Sequence, residues 1–128
     1  MPTWDETREH LRAKYKLMKD EPTWVGLGFG FKAKDREVTQ RVHIEKHTIA
    51  DMPAVMIVAD VVEATRVPHE AALKRNMTFA IGGIAIHEGR YLVRVALPLA
   101  GIEWSTLETV LEYIAREAAR LRDTVPGN

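Results

Sequence analysis

Between Val25 and Phe31 the chain alternates large apolar residues with glycine. Val25, Leu27, Phe29 and Phe31 fall on one side, and Gly26, Gly28 and Gly30 on the other. A period of two is that of a β-strand, whose successive side chains point to opposite faces. The segment from Trp24 is therefore predicted to be a strand with one heavy face and one bare face, and the heavy face demands a covering layer. The glycines superficially match a phosphate-binding loop. Such loops offer backbone N–H groups at a helix N-terminus, whereas Lys32, a turn and another strand follow here. The bare face is read as room for a backbone or a bulky side chain to pack close.

The remaining elements follow from spacing. Thr3 and Glu6 form a capping box, and Trp4, Leu11, Tyr15 and Met18 then mark one helical face that Pro22 is predicted to end. Lys34-Asp35-Arg36-Glu37 is a polar turn. A second strand carries Val38, Val42 and Ile44 on one face and Thr39, Arg41, His43, Glu45 and His47 on the other. Asp51-Met52-Pro53 turns the chain into a third strand, Ala54 to Val62. Pro68 opens a short helix, His69 to Arg75, that ends near Asn76. Met77 to Ile86 reads as a fourth strand, with a bulge or close approach at Gly82-Gly83. Glu88-Gly89 is a tight hairpin turn, and Arg90 to Leu97 is a fifth strand ended by Pro98. Ser105 and Glu108 form a second capping box ahead of Leu107, Val110, Leu111, Ile114, Ala118 and Leu121, the apolar stripe of a long helix. Val125-Pro126-Gly127-Asn128 is expected to fray.

The order α-β-β-β-α-β-β-α predicts a single α+β domain over residues 1–128, a five-stranded antiparallel sheet with two long helices on one face. A chain of this length buries roughly two-thirds of its unfolded surface, enough for a core without staples. The absence of cysteine excludes disulfides, thiolate metal sites and cysteine nucleophiles. Eighteen basic and eighteen acidic residues cancel and are mixed along the chain, so no basic stripe marks it for nucleic acid. The N-terminus is acidic at once and has no apolar core of a signal peptide. The longest apolar run, Ala54 to Ala59, is far too short to span a bilayer. The expectation is a cytoplasmic protein of bacterial style, with no membrane attachment.

Three runs carry a family pattern: Leu73-Lys74-Arg75-Asn76 at a helix end, Phe79 to Ile86 around the glycine pair, and Gly89-Arg90-Tyr91-Leu92-Val93-Arg94 followed by Leu97-Pro98-Leu99. In these and in its element order the chain resembles the type III secretion chaperone-like superfamily, most closely the YbjN-type branch. The resemblance implies a small cytoplasmic dimer without enzymatic activity. Such proteins either hold an extended segment of an exported protein or serve regulation. Secretion chaperones are typically acidic and this chain is neutral, a departure that bears on the partner and not on the fold.

His43, Glu45 and His47 share a strand face beside Arg41, and two imidazoles with a carboxylate suit zinc. Same-face neighbours on a strand stand ~7 Å apart, however, so one ion struggles to reach all three. A solvated strand face explains the pattern, and no metal or other cofactor is expected. His69-Glu70 and His87-Glu88 are sequence neighbours that point apart, which suits surface residues better than an acid–base pair. Ser105 is read as a helix cap. Trp4, Trp24 and Trp104 lie near element ends, where they fit either junction plugs or an interaction surface. The candidate partner- or ligand-binding face comprises Arg41, His43, Glu45, Arg90, Leu92 and Arg94; Ala71 and Ala72 of the short helix are the candidate dimer contact. The expected function is non-catalytic binding of an unidentified protein by a homodimer. The alternative is a small anion held by Arg41 and Arg94, or a metal, on the same face.

Overall fold

A computed structural model of the chain describes residues 2–33 and 36–125. The elements run α1 (Trp4–Lys14), β1 (Lys19–Glu21), β2 (Trp24–Ala33), β3 (Arg36–Ile49), β4 (Met52–Glu63), α2 (His69–Asn76), β5 (Gly83–His87), β6 (Arg90–Pro98) and α3 (Trp104–Asp123). The strands form one antiparallel sheet in the order β1-β2-β3-β4-β6-β5. Lys34 and Asp35 of the expected polar turn, and Pro126 to Asn128 of the expected frayed end, lie outside the described residues. Arg36 and Glu37 belong to β3.

The sheet has six strands where the sequence predicts five. The first helix does not run on to Pro22: it ends at Lys14, with Tyr15 in an extended conformation as its C-cap. The next residues then form β1, whose Lys19 pairs with Gly26 and Glu21 with Trp24. Arg8 and Arg12 reach from α1 to the two carboxylate oxygens of Asp20, at 2.8 and 2.6 Å, and Trp4 Nε1 donates to the Pro22 carbonyl at 2.8 Å. Met18, expected on the helix face, is instead an exposed residue whose Sδ lies over Gly28, 2.9 Å from where a Cβ would stand. The bare face of β2 is used for close packing at Gly28, whereas nothing lies within 4 Å of where a Cβ on Gly30 would stand.

At the N-terminus the Thr3 hydroxyl accepts from the Glu6 N–H and donates to the Glu6 carboxylate, so the first predicted N-cap forms, with Glu6 returning to the hydroxyl in place of the backbone N–H of a full capping box. The second does not. Helix α3 starts at Trp104 with Glu103 as N-cap and no side-chain cap bond, so Ser105 lies inside the first turn and its carbonyl accepts from the Thr109 hydroxyl. The buried Leu99 and the left-handed Gly101 (φ 72°) turn the chain early enough to begin the helix before Ser105. Glu108 is free to pair with His10 of α1 at 2.7 Å.

The strand expected from Met77 begins only at Gly83. The N–H groups of Met77, Thr78 and Phe79 donate back to the carbonyls of Lys74, Arg75 and Asn76, so the end of α2 winds on as turns. Phe79 packs edge-on against Tyr113, whose hydroxyl accepts the Ala80 N–H at 2.7 Å. Gly82 (φ 71°) then passes so close to β6 that a Cβ there would stand 2.5 Å from the Arg94 carbonyl oxygen. The β5–β6 hairpin closes through Glu88 and Gly89, both at positive φ, the two-residue geometry whose twist matches antiparallel strands.

One face of the sheet carries the core. Val25, Leu27, Val42, Ile44, Val55, Ile57, Val93 and Val95 pack in a single cluster with Trp4 and Leu11 of α1 and with Leu107, Leu111, Ile114 and Ala118 of α3. Both helices thus cover the same face, as expected. Each fully buried leucine among these contributes roughly 1.5–3 kcal/mol of burial free energy. Ala72 belongs to this core at 3% exposure, which corrects its assignment as a dimer contact: its methyl group serves its own chain, while Ala71 is exposed.

Candidate partner-binding face

The pairing registers define the face opposite the helices row by row. One row crosses all six strands through Lys19, Gly26, His43, Val58, Arg94 and Gly83. Toward one end of the strands, Gly28 faces Arg41, and Asp60 faces Leu92 and then Ala85. Toward the other, Trp24, Glu45, Met56 and Ala96 stand in line. A depression of about 820 Å³ opens here, lined by Met18, Lys19, Trp24, Arg41, His43, Glu45, Val58, Asp60, His87 and Leu92. Its floor is apolar because Gly26 and Gly28 contribute no side chain and Val58 and Leu92 sit half-buried between the polar rows. Trp24 forms one wall, stacked on the His43 ring with centroids 4.5 Å apart.

Charge on this face is unevenly compensated. Arg90 grips both oxygens of Asp60, at 2.8 and 2.7 Å, and reaches Glu63 at 3.2 Å. The hydrogen bond to Asp60 raises the Arg90 pKa, fixing its positive charge. The Glu63 carboxyl lies below its ordinary value, chiefly through its own backbone N–H and further through Arg90. His43 Nε2 lies 3.3 Å from the Glu45 carboxylate. The two acids of the depression are thus both held. Among the described residues, Lys19 and Arg41 have no ion-pair partner, and the Arg94 guanidinium donates only to the Met56 thioether at 3.2 Å. Arg94 lies over Met56 and leaves it 4% exposed.

Of the predicted face residues, the structure brings Arg41, His43, Glu45 and Leu92 together around the depression, places Arg94 beside it, and ties Arg90 to Asp60 and Glu63. The small-anion reading meets an obstacle. Arg41 and Arg94 are separated by β4, about 10 Å across the sheet, and Arg94 turns toward Met56, away from Arg41. Among the described residues no three His, Asp or Glu side chains converge as a metal set, and His47 stands exposed beyond Glu45. The three tryptophans divide: Trp4 plugs the core, Trp24 walls the depression, and Trp104 stacks on His10 between α1 and α3.

Sequence reasoning missed Met18, Lys19, Asp60 and His87. The signal for Met18 was present in the bare face of β2, which needs something to cover it.

No family model matches this sequence, and no curated protein matches it significantly. The fold is similar to that of a chain in the structure of the HopA1–SchA chaperone–effector complex, with a TM-score of 0.64 and 11% identity over 91% of this chain and 89% of that one. At that identity the likeness is one of fold. No helix among the described residues is long and apolar enough to cross a membrane.

Proposed function

We propose that the chain is a non-catalytic, chaperone-like protein of the type III secretion chaperone-like superfamily, in or near its YbjN-type branch. It binds an extended segment of a protein partner on the sheet face that the helices leave open. One observation carries this reading: both helices cover one face, and the other holds a broad depression with an apolar floor and cations, Lys19 and Arg41, that have no ion-pair partner among the described residues. The shared fold with a chain of a chaperone–effector complex supports it. A regulatory role would use the same surface.

Self-association belongs to the proposal. Leu73, Met77 and Ile86 are 67%, 88% and 50% exposed around the α2–β5 corner, beside a groove of about 290 Å³. Large apolar side chains clustered in this way mark a contact surface, here for a second copy.

The test of the partner reading is recovery of bound proteins from the native cell by wild-type protein and by an Arg41→Glu, Leu92→Ser variant of unchanged melting temperature. The expected result is a partner retained by the wild type and lost by the variant. An identical set of bound proteins with both would contradict the assignment of this face.

A further inference from the structure

We propose that the segment received by this face is acidic and apolar by turns, with carboxylates about six residues apart and apolar side chains between them. The inference rests on the protein-binding reading above and names the chemistry of the partner. The row from Lys19 to Arg94 crosses four interstrand steps, roughly 19 Å, and has a cation at each end. An extended peptide rises ~3.3 Å per residue, so about six residues laid across the strands bridge the two cations. Between them lie Gly26, which has no side chain, the stacked Trp24 and His43 rings, and the half-buried Val58. That stretch accepts apolar side chains, and the carboxylates beside it already have partners: Asp60 is ion-paired with Arg90 and Glu45 lies 3.3 Å from the His43 ring. Arg41, in the neighbouring row and without an ion-pair partner among the described residues, adds a third positive group to the depression's lining, to which Leu92 contributes an apolar one. Glu21, a carboxylate with no ion-pair partner among the described residues, stands outside the depression, on the edge strand opposite Trp24.

Such an arrangement selects a partner by sign, since an acidic segment gains attractive contacts with Lys19, Arg41 and Arg94 where a basic one is repelled by them. The chain is neutral overall, so this local imbalance and not net charge steers the encounter.

The experiment uses two fluorescent peptides of about twelve residues, long enough to cross the row. Both carry the same Leu, Val and Phe residues on a Gly/Ser background, one with Glu and the other with Lys at the charged positions. Binding to the full chain is read by anisotropy. The expected result is an affinity for the Glu peptide about tenfold or more above that for the Lys peptide. The difference should collapse in about 1 M sodium chloride, where the screening length is ~3 Å. A Lys19→Glu, Arg41→Glu variant, shown by circular dichroism to be folded, is expected to reverse the preference. Equal binding of the two peptides, or stronger binding of the Lys peptide, overturns the acidic assignment and leaves the protein-binding reading standing. Binding of neither peptide overturns both.

Discussion

At the scale of single residues, Asn76 makes a two-point contact with a strand backbone. Its side-chain oxygen accepts the Ile84 N–H at 2.5 Å and its amide nitrogen donates to the Ile84 carbonyl at 3.3 Å. This is the pairing a neighbouring strand would supply, placed on the outer edge of β5, so one side chain satisfies two backbone groups and blunts an edge otherwise open to another chain. Replacing Asn76 by Ala leaves both groups unpaired and is expected to cost about 1–3 kcal/mol. The loss is read in chemical denaturation, with an increased tendency to aggregate. Wild-type stability in Asn76→Ala would mean that water serves Ile84 equally well. Asn76 was visible in the sequence only as the residue where a helix ends. Its amide role depends on the turns from Met77 to Gly82 folding back, which a run of apolar residues and glycines does not announce.

At the scale of elements, the period-two segments came through as strands because their covering layer agrees with their pattern: β2, β3, β4 and β6 each lie within two or three residues of their expected limits. The failures sit where a tertiary partner overrides a local signal. Strand β1 exists because α1 stops at Lys14 and holds Asp20 through Arg8 and Arg12, and three polar residues have no period of their own. The Ser105–Glu108 spacing satisfies the capping rule, yet Glu108 serves His10 across the helix pair. The Asp20 clamp makes a pH prediction. Hydrogen bonds from Arg12 and then Arg8 hold the Asp20 carboxyl below its ordinary value of 3.8. A folded-state pKa below the unfolded one stabilises the fold above the ordinary value, and that contribution is lost as pH falls through the lowered value. Hydrogen exchange is expected to show residues 19–21 losing protection below pH 3.8 before the central strands do, and Asp20→Asn should remove this acid step. Simultaneous loss across the whole sheet would contradict the clamp.

At the scale of the whole molecule, the two faces of the sheet differ: the helices cover one, which holds the core, and the other is open and is the face proposed to meet a partner. The sequence made the open face legible through the polar alternation of β3 and the arginines of β6, but not its depth. That depth comes from Met18 and Lys19, whose positions depend on the sixth strand and its register. Self-association is expected at the α2–β5 corner. Light scattering should give a dimer at micromolar concentration for the wild type and a monomer for Leu73→Glu, Met77→Glu, while a monomeric wild type would contradict that interface. The most direct test of the central claim is photo-crosslinking in the native cell, with a photoreactive residue placed at Leu92 on the open face or at Glu112 on the exposed side of α3. The account expects a partner polypeptide crosslinked from position 92 and none from position 112. Adducts from 112 alone, or none from 92, would contradict it.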